Sequence, residues 1–206
     1  MLVWDRKEKP FVLILFAMPA IWLVYSLLSG RYFPDPAEPF MTLSGIWASV
    51  FLGLVLALSS LTKIKRLKVL TRYRRFLGLT AFWYVLLHLL AYLLLHAGFS
   101  WLWITEDLIK RPYIYVGLLS FLILSLLALT SFKSMIRVLG KRWKPLHRMV
   151  YLASVLVIAH LWWQVKSDTE IAFWLTLVMA IPLIIKVNPF FIKLIAKRAC
   201  TKSVDP

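Results

Sequence analysis

The sequence predicts an all-α, polytopic membrane bundle of about six transmembrane helices with both termini cytoplasmic. Three observations predict it. Of 206 residues, 61% are hydrophobic and only 17% charged, and the mean hydropathy is +0.78, which leaves too little polar surface for a soluble domain of this size. The apolar residues fall in blocks of roughly 17–22, enough to cross hydrocarbon about 30 Å thick at 1.5 Å per residue. Lys and Arg are concentrated in alternate connections between those blocks, the pattern that sets membrane orientation.

In chain order the spans are expected at about 11–29, 44–62, 76–97, 113–132, 149–165 and 171–187. Backbone groups in lipid must be satisfied internally, so segments of this length are read as helices. The first block, Phe11 to Leu28, is longer than the apolar part of a usual signal peptide. Arg31-Tyr32-Phe33-Pro34 after it is no small-residue cleavage site, so it is read as a retained helix. Pro34, Pro36 and Pro39 break the chain after it, and Pro112 opens the fourth span near the first helical position, where a missing N–H costs nothing. The fifth and sixth blocks are the shortest. No internal repeat, appended soluble domain or inter-domain linker is evident, so residues 1–206 are read as one transmembrane domain.

Orientation follows from the cations. The N-terminus, the 63–75 and 133–148 connections and the tail from Lys186 hold 21 Lys and Arg; Arg31, Lys110, Arg111 and Lys166 are the 4 on the other side. Six of the nine acids (Asp35, Glu38, Glu106, Asp107, Asp168, Glu170) join the sparse side. Both termini are therefore expected in the cytoplasm. The formal charge of +16 is explained by topology and contact with lipid headgroups, and nucleic acid is not expected as a partner. Trp101, Trp103, Trp162 and Trp163 fall at outer span ends, as interfacial anchors do. The one cysteine, Cys200, excludes an intrachain disulfide and any CxxC motif, and is read as incidental.

No Asp, Glu, Lys or Arg sits mid-span, which argues against a voltage sensor or a carboxylate proton relay. The four histidines, His88, His96, His147 and His160, all fall on the third and fifth spans or at their ends. His88 is roughly 20 Å along its helix from Arg75, and His160 roughly 18 Å from Arg148. Both spans run outward, so the two imidazoles are expected at matched depth. A buried imidazole is costly without a partner, and such a pair suits axial ligation of a haem iron in a helix bundle. The bland alternative is that each hydrogen-bonds a neighbouring helix. Zinc lacks a nearby cysteine or carboxylate to complete four ligands. His147 and His160, 13 residues apart, would lie over 180° apart around a straight helix. They share a face only if that helix bends or begins after His147.

Tyr73-Arg74-Arg75-Phe76-Leu77-Gly78-Leu79, followed by Leu87-His88, resembles the third helix of the ferric-reductase-like transmembrane superfamily. Lys110-Arg111-Pro112-Tyr113, Leu139-Gly140-Lys141-Arg142-Trp143, Leu146-His147, Val150-Tyr151 and Ala159-His160 narrow the resemblance. Together, over about 40–190, they resemble the haem-binding membrane subunits of bacterial periplasmic methionine-sulfoxide reductase systems. The resemblance implies a multi-pass inner-membrane protein with haem b, one or two per chain, and an associated flavin mononucleotide. It implies electrons drawn from the quinone pool or a cytoplasmic flavin reductase and passed to a periplasmic molybdopterin-containing catalytic subunit, its heterodimer partner. By motif, His88, His147 and His160 carry over as haem ligands; His96 does not and is read as an interfacial polar residue.

Arg74, Arg75 and Arg148 are candidates to neutralise haem propionates or a flavin phosphate, alongside their ordinary topological role. The chain has no nucleophile–base pair and no nucleotide-binding glycine loop. It is thus read as an electron-transfer subunit, with substrate conversion occurring on its partner. The competing readings are a metalloreductase or quinone-linked cytochrome with another acceptor, and a non-redox transporter or scaffold.

Overall fold

The computed structural model describes residues 8–60, 73–165 and 169–188. Arg6, Lys7, the basic stretch through Arg72, Lys166, Asp168 and the tail bearing Cys200 lie outside the described residues. Those described are helical, with no strand among them: α1 (Glu8–Leu28), α2 (Ala37–Ser60), α3 (Arg74–Ala91), α4 (Trp101–Lys110), α5 (Tyr113–Leu129), α6 (Lys133–Leu139), α7 (Trp143–His147), α8 (Met149–Gln164) and α9 (Glu170–Val187). A π-helical turn, Tyr92–His96, extends α3.

Two helices, Ala37–Ser60 and Arg74–His96, are each long and apolar enough to cross a membrane. The number rises to four if two bent pairs are each taken as one span: α4 with α5, bent by 108°, and α6–α7 with α8, bent by 42°. Large side chains along α1, α5, α8 and α9 face outward, among them Trp22, Leu122, Leu152 and Trp174, as lipid-facing residues would.

Several boundaries differ from expectation for local reasons. The α2 helix starts seven residues before the expected 44, because Pro39 sits in its first turn, where proline is tolerated. The Asp35 carboxylate there accepts the Ala37 N–H at 3.0 Å and caps the start. The connection at 98–112 is not a loop but carries α4. Consecutive left-handed residues, Gly98 (φ 54°) and Phe99 (φ 56°), turn the chain into it. The connection at 133–148 likewise folds into α6, a 3₁₀ turn and α7.

Packing is by hairpins. α2 lies against α3, α5 against α8, α9 against the far side of α2, and α3 against α5 in the middle. Their centre is an aromatic stack in which Phe51 meets Tyr84 at 5.1 Å and Phe16 at 5.3 Å. Small polar residues let the backbones approach. Buried Ser44, Ser59, Ser131 and Ser154 each return their hydroxyl proton to the carbonyl four residues back. Ser120 instead crosses from α5 to the Ala153 carbonyl of α8, at 3.3 Å.

The two central hairpins are related by a repeat that the sequence reading missed. A shift of 72 residues carries Gly45 to Gly117, Leu52 to Leu124, Ser59 to Ser131, Ala81 to Ala153 and His88 to His160. Burial follows the same shift: Ala48 and Ser120, Leu52 and Leu124, Ser59 and Ser131, Ala81 and Ala153 are all buried. Identities this sparse among leucines carry little weight in sequence; shared burial gives them their register.

Candidate functional site

α3 and α8 bring the two mid-span histidines together. Their ring centroids are 6.4 Å apart and the planes nearly perpendicular, at 88°. Each imidazole is held from behind by the preceding helix of its own hairpin. His88 Nδ1 lies 2.8 Å from the Met41 carbonyl of α2, and His160 Nδ1 lies 2.8 Å from the Tyr113 carbonyl of α5. A carbonyl only accepts, so both Nδ1 atoms carry the proton. The lone pair of each neutral ring is then on Nε2. Among the described residues neither Nε2 has a hydrogen-bond partner.

This is the tautomer and second-sphere arrangement of metal-ligating histidines. Two imidazoles bound end-on to one metal, with bonds of about 2 Å, have ring centroids roughly 6–6.5 Å apart. The observed separation falls in that range, so the residues fit an iron between them. Among the described residues no three His, Cys, Asp or Glu side chains group as a metal site. What the pair offers is two neutral imidazole nitrogens, too few by themselves to complete a metal's coordination.

His147 sits apart from the pair, at the other end of the α5–α8 hairpin. Its helix does begin anew beyond it: α7 ends at His147, α8 starts at Met149, and the two are offset by a 42° bend. The ring stacks on Trp143 with centroids 4.1 Å apart. Its Nε2 lies 3.2 Å from Thr130 Oγ1, whose own proton goes to the Leu126 carbonyl at 2.7 Å. The Nε2 of His147 is therefore engaged, unlike that of His88 or His160. Arg74 and Arg75 are near enough to act on it electrostatically. Arg75 Nε is buried without a hydrogen-bond partner, whereas Arg148 is exposed. The 72-residue shift maps Arg75 onto His147, so this end of the bundle sets a guanidinium where symmetry would set a second imidazole.

His96, expected as a plain interfacial residue, belongs to a cluster at the C-terminal end of α3. Its Nε2 is 3.1 Å from Asp107 Oδ2, Tyr92 donates its hydroxyl to the same oxygen at 3.3 Å, and Arg111 Nε is 3.4 Å from Oδ1. Asp107 is buried, while Trp101, Leu102, Trp103 and Ile109 of the same helix are exposed. Trp101 and Trp103 thus lie on a separate helix, α4, rather than at the end of the third span.

Sequence reasoning found the histidines but not what holds them. Met41 and Tyr113 act through backbone carbonyls, which leave no residue-type signal. Gly45 and Gly117 lie against the two rings, where an added Cβ would come within 3.2 Å of His88 and 2.8 Å of His160. The one available cue was that each glycine precedes its histidine by 43 residues.

The family profile described as ferric reductase like transmembrane component matches residues 44–158. The chain is 41% identical over 156 residues to the protein-methionine-sulfoxide reductase haem-binding subunit MsrQ of Polaromonas naphthalenivorans, covering 75% of this chain and 71% of that one. It is 40% identical over 150 residues to the MsrQ of Cronobacter sakazakii, covering 72% and 75%, and 40% identical over 150 residues to that of Brucella ovis, covering 73% and 68%. The motifs around His88, His147 and His160 fall inside or next to the matched segment. The chain belongs to the ferric-reductase-like transmembrane family, among the haem-binding subunits of protein-methionine-sulfoxide reductases.

Proposed function

We propose that this chain is a b-type cytochrome subunit of the inner membrane, with His88 and His160 the axial ligands of one haem. It would pass electrons from the quinone pool or a cytoplasmic flavin reductase to a periplasmic molybdopterin-containing methionine-sulfoxide reductase, supporting repair of oxidised periplasmic proteins. The observation that carries the reading is the adjacent pair of imidazoles, each with Nδ1 tied to a carbonyl and Nε2 free, at a separation suited to one metal. A bound haem supplies reversible one-electron chemistry. The chain's own part is to present two neutral nitrogens, hold their planes and exclude water, which together tune the potential.

In the full arrangement α1, α2, α3, α5, α8 and α9 are the six crossings, with both termini cytoplasmic. α4 lies in the outer interface, and α6 and α7 lie at the inner surface. The basic excess of the inner connections supports this orientation. The His88–His160 pair then sits in the outer half, towards the acceptor. His147, Arg74 and Arg75 line the inner end, where electrons enter. A second haem would draw on His147, which must first release Thr130. Arg75, with its unpartnered Nε, suits a propionate or a flavin phosphate; Arg148 is assigned the topological role. Beyond that phosphate contact, no described residue is assigned to flavin mononucleotide.

The test is a dithionite-reduced minus oxidised spectrum of purified protein in detergent, with pyridine-haemochrome quantitation, on wild type and on His88→Ala and His160→Ala. A b-type spectrum in wild type, largely lost in both variants, is the expected result. Folded wild-type protein without haem, made under adequate haem supply, would refute the electron-transfer reading.

A further inference from the structure

We propose that Gly45 and Gly117 are positioning residues of the histidine pair, setting the plane and reach of the two imidazoles; this rests on the haem-ligand reading above. The two half-sites are built alike. In each, a carbonyl accepts from the histidine Nδ1 across the same 47-residue separation. The glycine stands four residues beyond that carbonyl, one helical turn on, so carbonyl and glycine share one helix face. The carbonyl holds the edge of the ring and the glycine admits the ring itself.

The space is real in both cases but unequal. A Cβ at Gly117 would lie 2.8 Å from His160 Cε1 and 2.9 Å from Nδ1. A Cβ at Gly45 would lie 3.2 Å from His88 Nδ1 and 3.4 Å from Cε1. A methyl group at 117 therefore cannot coexist with the ring where it stands. The imidazole has to swing away, which breaks its bond to the Tyr113 carbonyl and re-aims Nε2. At 45 an adjustment of a few tenths of an ångström suffices, so the ring stays but tilts. The graded order, 117 before 45, follows from the geometry. The remaining helix-interior glycines lack this relation. Gly78 is open to its surroundings apart from Val55 at 4.0 Å, and Gly53 abuts Val178 of α9.

Gly53 supplies the control. A Cβ there would meet Val178 Cγ1 at 2.6 Å, a clash as severe as that at 117 but directed at helix packing and not at an imidazole. Gly117→Ala, Gly45→Ala and Gly53→Ala are compared with wild type for haem content and spin state, by pyridine haemochrome and low-temperature EPR, and for thermal stability in detergent. Perpendicular axial planes give a strongly anisotropic low-spin ferric signal, and this is expected of wild type.

Gly117→Ala is expected to lose that signal, either to high-spin iron or to the apoprotein. Mis-set ligand orientation of this kind costs about 10–100-fold in metal affinity. Gly45→Ala should keep haem but shift the low-spin signal. Gly53→Ala should lose stability while its spectrum stays that of wild type. If Gly117→Ala does not fold, Gly45→Ala decides alone: a shifted signal supports the proposal and an unchanged one overturns it. Wild-type spectra in folded Gly117→Ala, or the same spectral change in Gly53→Ala, would also overturn it, with the haem reading left standing. Absence of haem from wild type would instead refute that underlying reading.

Discussion

Tyr84 places its hydroxyl in the backbone ladder of α1. It donates to the Phe16 carbonyl at 3.0 Å and accepts the Ala20 N–H at 2.9 Å, two groups that an unbroken helix pairs with each other. The insertion sits beside Pro19, where the ladder is already interrupted, and it ties α1 to α3. Two effects compete in Tyr84→Phe. Leaving a buried donor and acceptor unpaired costs about 1–3 kcal/mol, yet the freed groups can turn back to each other, and interhelical bonds in membranes average only about 0.6 kcal/mol. Re-pairing should win, so the expected loss is about 1 kcal/mol, measured by thermal unfolding in detergent; no change would mean the ladder closes fully. His147 poses the opposite case, a polar group whose bond must be given up before it can ligate. His147→Ala should therefore leave the anisotropic low-spin signal of the outer pair intact and slow haem reduction from the cytoplasmic side, as stopped-flow absorbance would show. Loss of the outer signal to the extent seen in His88→Ala would contradict the division of roles.

At the scale of elements, α4 is held by few contacts, and they are polar. Its apolar residues Trp101, Leu102, Trp103 and Ile109 face away from the bundle, while Asp107 reaches back to Tyr92, His96 and Arg111. A helix of 10 residues has little stability of its own. Asp107→Asn removes the charge and one acceptor, so amide exchange across α4 should quicken by about tenfold, the equivalent of 1.4 kcal/mol. The haem spectrum should stay unchanged, because α4 does not touch either mid-span histidine. Exchange as slow as in wild type would show that the interface lipid, and not Asp107, holds the helix. The sequence concealed α4 because its tryptophans and charges share fewer than three turns, too short for a span and too polar for a core. The π-helical turn before it depends on packing that no local pattern encodes. The lengths of α3, α5, α8 and α9 were legible, since each is an unbroken apolar run bounded by polar or charged residues. So was the meeting of His88 and His160 at one level of the bundle, because the rise per residue is constant.

For the whole molecule, the two hairpins place equivalent atoms at equivalent heights. A histidine pair at matched depth is then a consequence of repeating one unit. Repeating the unit also fixes its direction: α2 and α5 run one way, α3 and α8 the other. The repeat therefore predicts that residues 72 apart emerge on the same side of the membrane. Charge makes the same prediction independently, since the connection before α3 and the connection before α8 are both strongly basic, while those before α2 and α5 balance Arg31, Lys110 and Arg111 with Asp35, Glu106 and Asp107. The α1 and α9 helices lie outside the repeat, so whether they cross decides on which side the termini end. Single cysteines in a Cys200→Ser background, placed at Phe33, at Ile109, at Val138 and at the C-terminus, can be probed with a membrane-impermeant maleimide in intact cells and in inverted vesicles. Positions 33 and 109 should label from outside, and 138 and the C-terminus only from within. Labelling of 138 from outside would break both the repeat and the charge argument. Labelling of the C-terminus alone from outside would keep the four central crossings and show that α9 does not span.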